Sequence, residues 1–240
     1  MYTDPTPLSL GSYKTNDGFD IYAQTEYPFE SKQAQQDIAL KNESLMVADK
    51  EILIFHAVPA GRLNTWARYL LIVTLGSCLI AFSSKVQVPF YPVPMTLQTM
   101  VVLMLGMALG WRLAGATLLL YLAEGALGLP VFAGTPEKGV GFSYMMGSTG
   151  GYLFGFLVAA TVCGWLAERG WGHSFIATAG CMVIGNSLIY MFGVSWLGAI
   201  FGWDKPLLSW GVFPFLWGDL LKIILAAIIM PLAWEMIAKR

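Results

Sequence analysis

The pattern of hydrophobic and polar positions divides the chain near residue 60. The first 45 residues hold no apolar run, whereas six long apolar stretches follow, at 66–84, 95–110, 112–129, 147–167, 174–198 and 213–236. A bilayer core of about 30 Å is crossed by roughly 20 apolar residues in a helix. The pattern therefore predicts an all-α polytopic membrane protein with six transmembrane helices. Residues 1–60 read as a polar N-terminal extension, solvated and partly disordered, and 61–240 as the membrane domain. The stretch Ile52–Val58 is apolar but too short to span, and fits an interfacial position.

The connections carry their own signals. Gly110-Trp111-Arg112 joins the second and third stretches too tightly for anything but a helical hairpin. Proline and glycine gather in three longer connections, 85–94, 130–146 and 199–212. Pro89, Pro92 and Pro94 lie within six residues, which prevents a helix and favours an extended segment. Such a segment suits the cover of a cavity and equally a plain connector. Small residues recur every fourth position at Gly147, Gly151, Gly155, Ala159, Cys163 and Ala167, spacing that lets helices approach closely within a bundle.

Charge refines this picture. Residues 1–51 hold nine of the fifteen acids, leaving six acids and ten bases in the other 189 residues. With the N-terminus inside, Arg62, Arg68, Arg112, Arg169, Lys239 and Arg240 fall on the inner side, and Lys85, Lys138 and Lys205 outside. Six against three places both termini in the cytoplasm of a cell-membrane protein, and the three long loops outside. The net charge of −1 and the lack of a basic cluster argue against nucleic acid. Cys78, Cys163 and Cys181 all lie in apolar runs and read as buried thiols. His56 and His173 have no partner at metal spacing, so no metal site is expected.

The candidate chemistry sits in the last stretch. Asp219 and Lys222 are three residues apart, so a helix places them on one face. Ionisable groups within a span are costly and mark a cavity or a bundle interior. The pair is either a buried ion pair that sets the helix's orientation or a contact for a polar ligand. Desolvation makes the first a weak stabiliser, which favours the second. Glu124, near the outer end of the third stretch, fits either the same cavity or a wet rim; Glu235 lies one turn from the inner end, within reach of water. No Gly-x-Ser-x-Gly elbow and no Walker A loop occurs. An intramembrane hydrolase built on Ser187 in Gly185-Asn186-Ser187 lacks an intramembrane histidine, so binding or transport is expected, not an enzyme.

Four motifs in fixed order point further: Pro92-Val93-Pro94-Met95-Thr96-Leu97-Gln98-Thr99, Gly125-Ala126-Leu127-Gly128-Leu129-Pro130-Val131-Phe132-Ala133-Gly134, Gly147-Ser148-Thr149-Gly150-Gly151-Tyr152-Leu153, and Pro214-Phe215-Leu216-Trp217-Gly218-Asp219-Leu220-Leu221-Lys222. Together they resemble BioY, the biotin-binding S-component of energy-coupling-factor (ECF) transporters, over roughly 66–238. The resemblance implies a six-helix protein that captures biotin outside and works with a transmembrane coupling protein and cytosolic ATPase subunits. It implies no cofactor. It carries substrate binding to Asp219 and Lys222, and to Thr149, Gly150, Gly151 and Tyr152. On this reading Lys222 meets the biotin carboxylate and Asp219 the ureido ring, or both act on one end through water. Thr149 and Tyr152 offer hydrogen bonds, while the two glycines let backbone approach either the ligand or a neighbouring helix. Ser148 stands where the family commonly has proline, which loosens the start of the fourth helix. Ser77 and Ala81 match only loosely the small residues with which the family's first helix docks the coupling protein. Transport of another small carboxylic acid or vitamin is the alternative.

Overall fold

The computed structural model describes residues 64–238 apart from Phe90 and Lys138, and, nearer the N-terminus, Gln36 and two short strands. The chain falls into two units, Met1–Met46 and Val47–Arg240. In the first, β1 (Ser12–Lys14) pairs antiparallel with β2 (Asp20–Tyr22), Tyr13 opposite Ile21. The expected boundary near residue 60, Ile52–Val58, His56, Arg62, Lys138 and the terminal Lys239 and Arg240 lie outside the described residues.

The second unit is helical. Its elements are α1 (Thr65–Lys85), the hairpin β3 (Gln87–Val88) and β4 (Met95–Thr96), and α2 (Gln98–Ala126). Next come α3 (Phe142–Met145), α4 (Gly150–Leu166), continued by a wider turn over Ala167–Trp171, and α5 (Phe175–Phe201). The short α6 (Leu207–Gly211) and the long α7 (Leu216–Ala238) complete it. Five helices among the described residues, not six, are long and apolar enough to cross a membrane.

The difference lies in the second and third stretches, which form the single helical run α2 with one non-helical residue, Gly110 (φ 71°, ψ 169°). That residue reverses the chain. The Gln98 side-chain amide donates to the Tyr121 hydroxyl at 2.8 Å, although 23 residues of straight helix would separate them by about 34 Å. The arms flanking Gly110 therefore run antiparallel, as the Gly-Trp-Arg junction predicts. At 12 and 16 residues they measure about 18 and 24 Å, each short of a full crossing. The positive φ is open to glycine at little cost. The Glu168 carboxylate accepts the Trp111 backbone N–H at 3.1 Å and satisfies the exposed start of the second arm.

Small residues bring the helices together. A side chain at Gly106 would meet Ala160 Cα at 3.1 Å, and one at Gly155 would meet Ile189 Cα at 3.0 Å. The four-residue stripe on α4 is thus spent within the bundle, against α2 and α5. Cys163 and Cys181 are buried as expected; Cys78 is exposed on α1, which among the described residues packs mainly against α2.

The long connections fold back over one end of the bundle. Residues 131–135 hang from α1: Ser84 Oγ donates to the Val131 carbonyl at 2.7 Å, and Lys85 Nζ to the Phe132 carbonyl at 2.9 Å and to Thr135 Oγ1 at 3.0 Å. Phe132 is fully buried, stacked on Tyr144 at 5.0 Å and edge-on to Tyr121 at 5.4 Å. Phe132→Ala is expected to cost about 3–5 kcal/mol and to lower the thermal midpoint in detergent, with Phe132→Leu costing much less. Equal midpoints for the wild type and the alanine variant would show that the loop does not hold this end together.

Candidate functional site

The first turns of α7 place the acid and the base. Asp219 is 4% exposed and Lys222 9%, in a helix whose other residues are mostly apolar. Lys222 Nζ lies 3.0 Å from Asp219 Oδ1 and donates to Thr99 Oγ1 at 2.9 Å. The other carboxylate oxygen accepts a hydrogen bond from the Tyr190 hydroxyl of α5. Asp219 also sits in the first turn of α7, where the helix dipole favours an anion. A desolvated carboxylate is thus held by an ammonium, a phenol and a helix end, while the ammonium keeps one N–H for another partner.

These groups line a cavity of about 550 Å³, the open space at its mouth included. The wall is largely apolar, with Val93, Met95, Leu153, Phe156, Ile189 and Phe215, and carries a few polar groups, Thr96, Gln98, Thr99, Tyr144 and Thr149. Among the described residues, Asp219 and Lys222 are the charged groups in it, so the wall is electrically neutral as a whole. The proline-rich connection is an extended hairpin, Gln87 opposite Thr96, and its residues from Val93 to Thr96 form part of the wall. It covers the cavity and is more than a connector.

The other expected site residues divide. Thr149 lines the cavity at the start of α4. Tyr152 lines it too, but its hydroxyl donates to the Gly211 carbonyl at 2.9 Å, so it offers the cavity its ring and not its proton. Gly150 and Gly151 do not line it. Side chains there would meet Trp196 of α5, at 3.1 Å from Nε1 and 2.9 Å from Cγ respectively, and that indole donates to the Gly147 carbonyl at 2.8 Å. Gly150 packs against the Met145 carbonyl as well as Trp196, and Gly151 against Trp196, so both glycines are used in packing here. Gly151→Val is accordingly expected to lower the thermal midpoint in detergent by several degrees, as overpacking costs about 1–3 kcal/mol.

Glu124 is also elsewhere: its carboxylate accepts from Ser77 Oγ of α1, outside the cavity. Ser187 is exposed and donates to the Val183 carbonyl of its own helix at 2.8 Å, so its proton is spent. His173 stacks on Trp234 at 4.3 Å beyond the far end of α4. Ser148 donates to the Pro92 carbonyl at 2.9 Å, tying the hairpin loop to the start of α4, a bond that proline could not make. The Tyr144 hydroxyl donates to the Ala133 carbonyl at 2.7 Å, and burial raises its pKa, so it stays protonated.

Sequence reasoning overlooked Gln98, Thr99, Tyr144 and Tyr190. A tyrosine at 190 inside an apolar helix was a usable signal, since a buried phenol needs a hydrogen-bond partner.

Three comparisons bear on this site. The BioY family model matches residues 55–239. The biotin transporter BioY of Thermotoga maritima is 37% identical over 162 residues, 68% of this chain and 93% of that protein. Biotin transporter BioY2 of Lactococcus lactis subsp. cremoris is 33% identical over 166 residues, covering 69% and 89%. The 2.1 Å crystal structure of the S-component for biotin from an ECF-type ABC transporter superposes with a TM-score of 0.61 at 25% identity, covering 73% of this chain and 95% of that one.

Proposed function

The chain belongs to the BioY family, and from that premise we propose that it is the biotin-capturing membrane subunit of a vitamin uptake system. It is a multi-pass membrane protein, and its relatives are named as transporters, not enzymes. The observation that carries the reading is the buried pair Asp219–Lys222 in the wall of a neutral, mostly apolar cavity.

Biotin has a cyclic urea fused to an apolar thioether ring, with a valerate tail. The pair offers a donor and an acceptor side by side, which matches the adjacent C=O and N–H of a urea. Lys222 donates to the ureido carbonyl, and Asp219 accepts a ureido N–H. The division expected from sequence, Lys222 on the tail carboxylate, gives way for two reasons. Atoms 3.0 Å apart cannot touch both ends of an extended ligand. A carboxylate on Lys222 would also stand beside that of Asp219, and like charges about 4 Å apart repel by ~4 kcal/mol at an effective dielectric of 20. The bicyclic ring rests on Phe156, Ile189 and Phe215, and the tail points to the mouth. Thr149 and Tyr144 line both this cavity and a second, more polar one of about 320 Å³.

In this reading the protein sits in the cell membrane with both termini cytoplasmic, in keeping with the Lys and Arg asymmetry, and the cavity opens outward. Residues 1–60 form a cytoplasmic extension. A transmembrane coupling protein and cytosolic ATPases supply the energy, since the chain carries no Walker A sequence.

Equilibrium binding of labelled biotin to the purified protein in detergent tests the reading. Tight binding is expected, with biotinamide competing within about tenfold, because the tail carboxylate meets no buried cation. Failure of well-folded protein to bind biotin would return the site to another small acid or vitamin. A loss beyond about a hundredfold for the amide would put the carboxylate back on Lys222.

A further inference from the structure

Gln98 opens the first arm of α2 and is 3% exposed, yet it lines the cavity. Its amide has two ends, and the surrounding network decides which one faces inward. The Tyr121 hydroxyl lies 2.8 Å from the Gln98 amide and 3.1 Å from the Val131 carbonyl, and Tyr121 is fully buried. A hydroxyl has one proton. Val131 offers only an acceptor, so the hydroxyl donates to it and accepts from Gln98 Nε2. Were the amide turned round, two oxygens would compete for that one proton, and the 3.1 Å contact of the hydroxyl with Val131, a carbonyl that Ser84 Oγ also reaches, would be left without it. The remaining end of Gln98, its carbonyl Oε1, has no hydrogen-bond partner among the described residues.

We propose that Gln98 Oε1 is a specificity contact that accepts the second N–H of the ligand's ureido ring. The inference rests on the biotin reading above and extends it. Thr99, the next residue, holds Lys222, so the start of α2 brings Gln98 to the same cavity as the Asp219–Lys222 pair. A cyclic urea presents one acceptor flanked by two donors. Lys222, Asp219 and Gln98 then present one donor and two acceptors. Tyr121 is a positioning residue: it touches no ligand but locks the amide in the orientation that reads N–H. A site built to bond a polar group discriminates strongly against a ligand that lacks it.

The test uses the purified full-length protein, biotin, and the two biotins carrying a methyl group on one or the other ureido nitrogen. Wild type is expected to bind biotin tightly and each methylated form at least a hundredfold more weakly. Gln98→Ala is expected to bring one isomer to within about tenfold of biotin while the other stays rejected. Tyr121→Phe keeps Gln98 but frees its amide, and should reduce the discrimination against the same isomer. A purely structural role for either residue would weaken all three ligands alike. Wild type binding either methylated form as tightly as biotin overturns the proposal without recourse to a variant. Wild type that is folded but does not bind biotin overturns the reading beneath it, a distinguishable result.

Discussion

Lys222→Ala is expected to weaken biotin binding by about 2–5 kcal/mol, which is ~30- to several-thousand-fold in Kd. Two losses combine. The ureido carbonyl loses a charge-assisted donor, and Asp219 is left in an apolar wall without its ion-pair partner, with Tyr190 and the helix end still beside it. The loss should lie in the off-rate, since the pair is buried and steers nothing from a distance. Thr99→Val removes a support and not a contact, so it should cost about tenfold or less. Titration calorimetry on the three proteins, with thermal midpoints measured alongside, checks the order. Unchanged affinity in Lys222→Ala would remove the pair from the site.

The pair was legible in the amino-acid sequence because its signal is local. Residues three apart on a helix share a face, and charge amid apolar sequence needs a reason. Membrane passage was legible from the same contrast, but the count of crossings was not. The Gly-Trp-Arg junction marks the turn at Gly110, but periodicity does not show that the arms on either side are only 12 and 16 residues long, each short of a crossing. The partners of the pair were illegible for a different reason. Tyr190 is 29 residues upstream of Asp219 and Thr99 is 123 residues from Lys222, distances that only tertiary packing closes. Gln98 stood in a recognised motif, yet its meaning depends on Tyr121 and Val131 deciding which way its amide points. The glycines at 150 and 151 admitted two uses, and the groups they pack against, the Met145 carbonyl and Trp196, come from other elements of the fold.

A combined Asp219→Leu, Lys222→Met replacement separates the pair's two roles, and it is expected to fold while losing biotin binding altogether. Each charge alone is costly to bury, so either single replacement leaves an unbalanced ion, and breaking a buried pair costs about 3–5 kcal/mol. Replacing both by apolar residues of similar volume removes the desolvation cost along with the attraction, and such changes are often neutral or stabilising. The Tyr190 hydroxyl then loses its acceptor, a cost of about 1–3 kcal/mol that Tyr190→Phe in the same background should recover. If the pair exists to fix the position of α7, the double variant should bind biotin whenever it folds, because an apolar seam would hold the helix equally well. If the pair reads the urea, the best-folded variant of the series should be among the poorest binders. Thermal midpoints and biotin affinities measured across the single, double and triple variants therefore move together under the first account. Under the second they move apart, and that divergence is the expected result.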